Sequence, residues 1–324
     1  MPAAFSLLQR FSDFLIMHSH ASIPPKMVIA GGSGFLGQHL SRYFRARGYQ
    51  VVSLSRRPAV GPDHRQWDAR TLGPWAAELE GATVLLNLAG RSVDCRYTEA
   101  NKGEILASRV DSTLVLGQAV AQCQNPPAVW LNSSTATIYA DTRGDARANT
   151  EAAGTIGRGF SVGVATAWEA ALQAAATPRT RRVALRTAIV LGPDGGAFPV
   201  LKRLAKLGLC SPQGRGEQWI SWLHVEDFCR AVEFLAVETQ DSGAFNVCAP
   251  NPLPNREFNA LLHQRLRPWL RLPQPEWLLR LGALLLRTET ELILKSRKVV
   301  PARLLALGFG FRYPTCAQAL DALI

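Results

Sequence analysis

Seven residues constrain the fold of this chain more than any others. They are Gly31-Gly32-Ser33-Gly34-Phe35-Leu36-Gly37, preceded by apolar Met27-Val28-Ile29-Ala30 and followed by Gln38-His39-Leu40-Ser41-Arg42-Tyr43-Phe44. The pattern reads as buried strand, glycine turn and amphipathic helix. In such a turn the first glycine, Gly31, permits the bend. The second, Gly34, lets backbone N–H groups approach a pyrophosphate, and the third, Gly37, lets the helix pack close to the sheet. A helix N-terminus presents unpaired N–H donors and the positive end of its dipole, which favour an anion. The stretch predicts a dinucleotide site, with Phe35 and Leu36 beside it at the helix start.

The rest of the chain supplies the alternation that this turn requires. Strand-like runs at Val51–Leu54, Thr83–Leu88, Ala128–Asn132 and Arg182–Val190 alternate with helix-like ones at Trp75–Glu80, Thr98–Cys123 and Val162–Ala175. The strand-like runs are almost continuously apolar, as expected for strands covered on both faces. This predicts the α/β class with a doubly wound parallel sheet. After Pro193 the pattern changes. Two more strands are expected near Trp219–Leu223 and Ala244–Cys248, followed by helices broken by Pro273, Pro275, Pro301 and Pro314. The expected organisation is a nucleotide-binding domain over 26–195 and a smaller, mostly helical lobe over 196–324, above the C-terminal edge of the sheet. Residues 1–25 are expected to be an extension, disordered or loosely docked, or to reflect an over-long start.

Composition narrows the function. The six cysteines are scattered with no C-x-x-C pair, and no histidine stands at metal-ligand spacing from one. This predicts reduced thiols, no metal and a cytoplasmic setting. No apolar run approaches the roughly 18 residues of a membrane span, and Arg280 breaks Leu278–Leu286, which reads as a packed helix. The net charge of +11 comes with no nucleic-acid-binding motif, although the segment Arg256–Arg312 carries eleven Lys/Arg against four Asp/Glu. A basic surface that attracts an anionic cofactor or substrate is the expected reading, with no nucleic-acid partner.

The second strand-like run ends at Ser55-Arg56-Arg57. An NAD-preferring site places a carboxylate there to accept from the ribose 2′-hydroxyl. Guanidiniums suit a 2′-phosphate instead, so NADP(H) is predicted. Asp68 either meets the adenine or forms a turn. Leu88, Ala89 and Gly90 leave room for a flat cofactor over a strand tip. Ile189 lies on a later strand whose tip flanks the nicotinamide.

Together the glycine turn, Asn87-Leu88-Ala89-Gly90 and Ser133-Ser134-Thr135-Ala136-Thr137-Ile138-Tyr139 resemble the extended short-chain dehydrogenase/reductases of the epimerase/dehydratase branch. Further stretches carry a closer resemblance. They are Tyr97-Thr98-Glu99 to Ser108-Arg109, Ala167-Trp168-Glu169, Trp222-Leu223-His224 to Phe228, Asn246 to Pro250, and Glu289-Thr290-Glu291-Leu292 to Arg297. These are similar to an atypical subgroup of epimerase-like oxidoreductases with a C-terminal DUF1731 domain, here over 272–322, which includes short-chain family 39U. The resemblance covers about residues 26–322. It implies an NADP-binding Rossmann fold, with Ser55, Arg56, Leu88, Ala89, Glu104, Arg109 and Ile189 at cofactor-contact positions. From spacing alone, Glu104 and Arg109 read equally well as a solvated pair on one helix.

The mechanism of that superfamily needs a Ser/Thr hydroxyl, a tyrosine acid/base and a lysine four residues later that favours the phenolate. Ser134, with Thr135 second, supplies the hydroxyl. None of the five tyrosines has Lys at +4, and the segment where the pair is expected reads Phe160-Ser161-Val162-Gly163-Val164-Ala165. Two functions follow. One is an NADP(H)-dependent oxidoreductase or epimerase acting on a carbonyl or sugar-like molecule, with Tyr139, Tyr97 or His224 as a rearranged proton donor. The other is a non-catalytic NADP(H)-binding sensor. His224 otherwise reads as a packed residue between lobes, and Asp227 as a first-turn helix residue. The loop Gly214–Trp219 is the candidate lid. Lys295-Ser296-Arg297-Lys298 is a solvated face or an anion-binding rim.

Overall fold

The apolar run before the glycine turn becomes strand β1 (Lys26–Ala30), which lies within a seven-stranded, wholly parallel sheet. The computed structural model describes residues 24–58, 61–209, 211–268 and 295–324. The expected N-terminal extension up to residue 23, the Leu278–Leu286 helix, the Glu289–Leu292 stretch and Cys210 lie outside the described residues.

In chain order the elements are β1, α1 (Phe35–Arg45), β2 (Gln50–Ser55), β3 (His64–Gln66), a 3-10 turn at Pro74–Leu79, β4 (Val84–Asn87), α2 (Glu99–Gln122), β5 (Val129–Thr135), α3 (Phe160–Gln173) and β6 (Arg181–Thr187). Then follow β7 (Ile189–Leu191), α4 (Phe198–Lys206), β8 (Trp219–Ile220), β9 (Trp222–His224), α5 (Val225–Glu233), β10 (Gly243–Val247), β11 (Leu253–Pro254), α6 (Asn255–Leu266), α7 (Ala302–Ala306) and α8 (Cys316–Leu323). The sheet order is β10-β6-β5-β4-β1-β2-β3. It reverses direction beside β1, at the point where open α/β sheets bind ligands.

Alternate residues of β1 face opposite sides of the sheet. Met27 and Ile29 join a core with Leu40 and Phe44 of α1, whereas Val28 and Ala30 join one with Val115, Leu116 and Trp130. The first core continues without a break into Phe258, Leu304 and Leu320 of the smaller lobe. That lobe therefore shares its apolar interior with the sheet.

Three sequence expectations need correction. Arg182–Val190 is not one strand. The chain changes partner at Ala188, whose N–H bonds to Val247, and Ile189 then bonds to Ser221. β7 consequently pairs with β9, away from the main sheet. Trp219–Leu223 likewise divides at Ser221, with β8 pairing antiparallel to β11. The strand near Ala244 belongs to the main sheet, because Gly243–Val247 pairs in parallel register with Val183–Thr187. The chain after residue 195 is thus not a separate C-terminal block: it builds part of the lobe and returns to the sheet.

Cys123, Cys229, Cys248 and Cys316 are buried free thiols and Cys95 is half-buried. Burial pushes the Cys229 and Cys316 thiols up to about 12, which keeps them protonated and inert. No helix among the described residues is long and apolar enough to cross a membrane.

Candidate cofactor groove and active-site cavity

The glycine turn is built from short bonds. Gly31 N–H reaches Leu54 O at 2.9 Å, and Gly34 N–H reaches Gly31 O at 3.1 Å. Gly31 has φ +82°, and a Cβ there would stand 3.0 Å from the backbone of Leu88 and Ala89. Glycine is required on both counts. At Gly37 a Cβ would come within 2.6–2.7 Å of Gly32 and of Gly31 O. This glycine lets the helix sit directly on its own turn. Gly34 is the N-cap of α1, no side chain caps it, and the first turn holds no acid. The free N–H donors suit an anion.

This turn opens into a groove of about 1010 Å³ over the strand tips. Gly31, Gly34, Ser55, Arg56 and Asp68 line it, as do Leu88, Ala89, Gly90 and Glu104. Arg56 is exposed and forms no ion pair among the described residues. Arg57, expected beside it, is not among the described groove-lining residues. The Ser55 hydroxyl accepts from Arg57 N–H at 3.2 Å and folds the backbone into a tight local turn. Asp68 does two things. It lines the groove, and it holds a turn by accepting from the Thr71 hydroxyl (2.6 Å) and from the Thr71 and Arg70 N–H groups (2.9 and 2.8 Å). The Thr71 bonds are foremost in holding its carboxyl down at about 2. Glu104 pairs with Arg91 rather than with Arg109.

The tips of β4 and β5 are held by a buried amide network. Asn87 Nδ2 donates to Asn132 Oδ1 at 2.8 Å, Asn87 Oδ1 accepts from Ala89 N–H at 3.0 Å, and Trp168 Nε1 donates to the Thr113 hydroxyl at 3.1 Å. The sequence reading missed the contribution of Trp168 and Thr113. Trp168 stands out in the sequence only within the Ala167–Glu169 stretch of resemblance, and Thr113 only by its place on a helix.

Beside the groove lies a cavity of about 420 Å³. Phe35, Leu36, Tyr97, Arg109, Ser134, Thr135 and Ile189 line it. Phe35 fills the space under Gly192 and Gly195, where a Cβ would lie 2.5 Å from its ring. This explains a glycine cluster that the sequence shows only as punctuation. A further cavity of about 370 Å³ adjoins it towards the smaller lobe, sharing Thr135, Thr187 and Ile189, and adds Trp219, Asn255, Lys295 and Arg297. Trp219 of the candidate lid is therefore at this cavity, whereas Arg215 is not among its described lining residues.

The two candidate hydroxyls differ. Ser134 donates to Glu169 Oε1 at 2.6 Å. Thr135 Oγ1 accepts from Thr137 N–H at 3.1 Å, and its proton has no acceptor among the described residues. Thr135 is thus free to donate into the cavity and Ser134 is engaged elsewhere.

Tyr139 is displaced from the role expected of it. It is 1% exposed and lines neither cavity among the described residues. Its hydroxyl donates to Asn246 Oδ1 and accepts from Arg186, both at 2.8 Å. Burial raises its pKa despite the Arg186 cation, so it is a poor proton relay. Arg186 in turn forks onto Glu169 with two bonds of 2.8 Å. Burial opposes the Arg186 charge, but the Glu169 partner outweighs it and holds the guanidinium above its ordinary range. His224 is also away from the cavities. It caps α5 by accepting from Glu226 N–H and packs tilted against Tyr313, with ring centroids 4.0 Å apart and planes inclined by 43°. Asp227 is fully buried in the first turn of α5 and accepts from the Arg312 and Tyr313 N–H groups at 2.8 Å.

The helix expected to carry the Tyr–Lys pair is α3. Ser161 faces both cavities, and Ala165 is fully buried against Ala136, Ile138 and Tyr139. A lysine stem has no room at Ala165.

The NAD dependent epimerase/dehydratase family model matches residues 27–248, and a domain of unknown function, DUF1731, matches 274–323. The chain belongs to the NAD dependent epimerase/dehydratase family. Within it, the chain is 30% identical over 302 residues to the human epimerase family protein SDR39U1, covering 92% of this chain and 99% of that protein. It is 32% identical over 305 residues to the epimerase family protein YfhF of Bacillus subtilis, covering 92% and 97%. The solved structure of human SDR39U1 with NADPH superimposes with a TM-score of 0.82 at 29% identity, covering 92% of this chain and 98% of that one. A nucleoside-diphosphate sugar epimerase from Corynebacterium glutamicum gives a TM-score of 0.76 at 28% identity, covering 93% of this chain and 58% of that one. The seven-stranded sheet is the Rossmann arrangement of this epimerase family.

Proposed function

We propose that this epimerase-family chain is an NADP(H)-dependent oxidoreductase or epimerase acting on the carbonyl of a small molecule. The observation that carries this reading is Thr135, with its hydroxyl proton free at a cavity beside the dinucleotide groove. The groove fits the cofactor: Gly31 and Gly34 clear space for a pyrophosphate, and Arg56 offers a guanidinium to a 2′-phosphate. NADPH in the human relative supports the same choice. The cofactor supplies hydride chemistry when bound. Thr135 holds the substrate oxygen by donating its proton, Phe35 and Ile189 give the cavity an apolar wall, and Asn87 fixes the backbone at Ala89.

Measuring NADPH and NADH affinity tests the cofactor assignment. Arg56→Ala is expected to reduce the preference for NADPH by about tenfold or more, the loss of one charge-assisted bond. Equal affinity of the wild type for both cofactors would refute it. Turnover is followed by NADPH absorbance with a panel of aldehydes, ketones and nucleotide sugars. Thr135→Val is expected to lower kcat by ~10²-fold or more with NADPH binding kept. Tight NADPH binding without turnover, together with changed affinity for a protein partner, supports the second reading, a non-catalytic NADP(H) sensor. The lack of a Tyr–Lys pair over Phe160–Ala165 favours that alternative.

A further inference from the structure

Four of the five tyrosines are held away from the active-site cavity. Tyr43 donates to Glu233, Tyr49 packs edge-on against Phe44, Tyr139 is buried on Asn246, and Tyr313 packs tilted against His224. Tyr97 lines the cavity, together with Thr135 and Ser161. It stands immediately before Thr98, the N-cap of α2, whose hydroxyl accepts from Asn101 N–H at 3.2 Å. Asn101 Nδ2 also donates to Arg96 O at 2.7 Å, so the segment carrying Tyr97 is braced from both sides. Its ring meets Phe160 edge-on, with centroids 5.0 Å apart. Phe160 opens α3 and precedes Ser161. A phenol from the start of α2 thus enters the region where the family pattern would place one on α3.

A cation accompanies it. Arg109 of α2 lines the same cavity. Its guanidinium donates to two neutral acceptors, Arg91 O at 3.1 Å and Ile105 O at 3.0 Å, and it pairs with no carboxylate among the described residues. Burial presses it down to about 10, and the Tyr97 phenol beside it acts in the opposite direction. It remains charged at neutral pH.

We propose that Tyr97, with Arg109 as its neighbouring cation, is the proton donor of this site and stands in for the absent Tyr–Lys pair. The role presupposes the carbonyl chemistry proposed above. When a dihydronicotinamide delivers hydride to the carbonyl carbon, the C=O π pair moves onto oxygen. The Tyr97 O–H bond then breaks, its proton goes to that oxygen, and the electron pair stays on the phenolate. Arg109 stabilises the phenolate until water returns the proton.

An alkaline absorbance titration tests the pair without a substrate. The wild-type minus Tyr97→Phe difference isolates the Tyr97 phenol. It is expected to ionise below the ordinary value of about 10, to move up by about one pH unit or more in Arg109→Met, and to return in Arg109→Lys. A Tyr97 phenol that titrates at or above the ordinary value, or ignores Arg109→Met in a variant that still binds NADPH, overturns the pairing. Kinetically, Tyr97→Phe is expected to lower kcat by ~10²–10⁴-fold with NADPH affinity held, because only proton transfer is removed. Turnover that survives Tyr97→Phe overturns the donor role alone. No turnover by the wild type on the carbonyl panel overturns the carbonyl reading and the donor role with it.

Discussion

Glu169→Ala is expected to destabilise the fold by roughly 3–5 kcal/mol, the cost of leaving one partner of a buried ion pair uncompensated. The side chains of Arg186 and Glu169 are 12% and 15% exposed, so solvent screens little of the loss. Glu169 accepts two bonds from Arg186 and one from Ser134. Its removal strands a guanidinium between β5 and α3 and leaves Tyr139 as its remaining side-chain partner. Urea unfolding measures the effect. The double change Glu169→Met with Arg186→Met is expected to recover much of it, since apolar replacement of both partners removes the unpaired charge. A single-variant loss below about 1 kcal/mol, the range of a surface pair, would show that the pair is not structural.

Gly37→Ala is expected to remove cofactor binding and to cost about 1–3 kcal/mol by overpacking. The new Cβ would meet Gly32 Cα at 2.6 Å and the Gly31 and Gly32 carbonyl oxygens at 2.7 Å. All three are backbone atoms, so no side chain can swing aside. The helix must lift off its turn, and the uncapped N–H groups at its start move with it. NADPH affinity is expected to fall by ~100-fold or more, about 2.7 kcal/mol. Gly34→Ala separates the two effects. There the nearest atom, Gly31 O, is 3.4 Å away, so the chain is expected to fold with a change of about 0.5 kcal/mol or less. Gly34 nevertheless lines the groove, so NADPH binding is expected to weaken. Unchanged NADPH affinity in Gly37→Ala would contradict the close packing of turn and helix.

Strands whose neighbours follow from local pattern were legible. β1, β2 and β4 are short apolar runs with the glycine turn between the first two. The 24 residues of α2 begin within a residue of the expected start because Thr98 is a side-chain cap. Ala188 and Ser221 were not legible as break points. Both lie within apolar runs, and each marks a change of hydrogen-bond partner between segments distant in sequence. The placement of β10 in the main sheet is hidden for the same reason: Val183–Thr187 selects it across the intervening lobe.

The candidate site divides in the same way. Gly31 and Gly37 carry their reason in the sequence, because strand, turn and helix are contiguous and the glycine spacing is a local steric requirement. Arg56 is similarly readable as a charge at a strand end. The sequence by itself therefore determined a parallel α/β sheet with a glycine turn of the dinucleotide-binding type and the sign of the charge at the end of β2. The tertiary structure alone decided which hydroxyl keeps a free proton and which phenol faces the cavity. Ser134 and Thr135 are neighbours in one strand, and only the Glu169 carboxylate across from Ser134 distinguishes them. Tyr139 and Tyr97 are both plausible acids in sequence, and burial against Asn246 removes one while Phe160 and Arg109 surround the other. A proton's availability depends on what lies within about 3 Å of it in space, and the groups that do so here come from elements far apart in the chain.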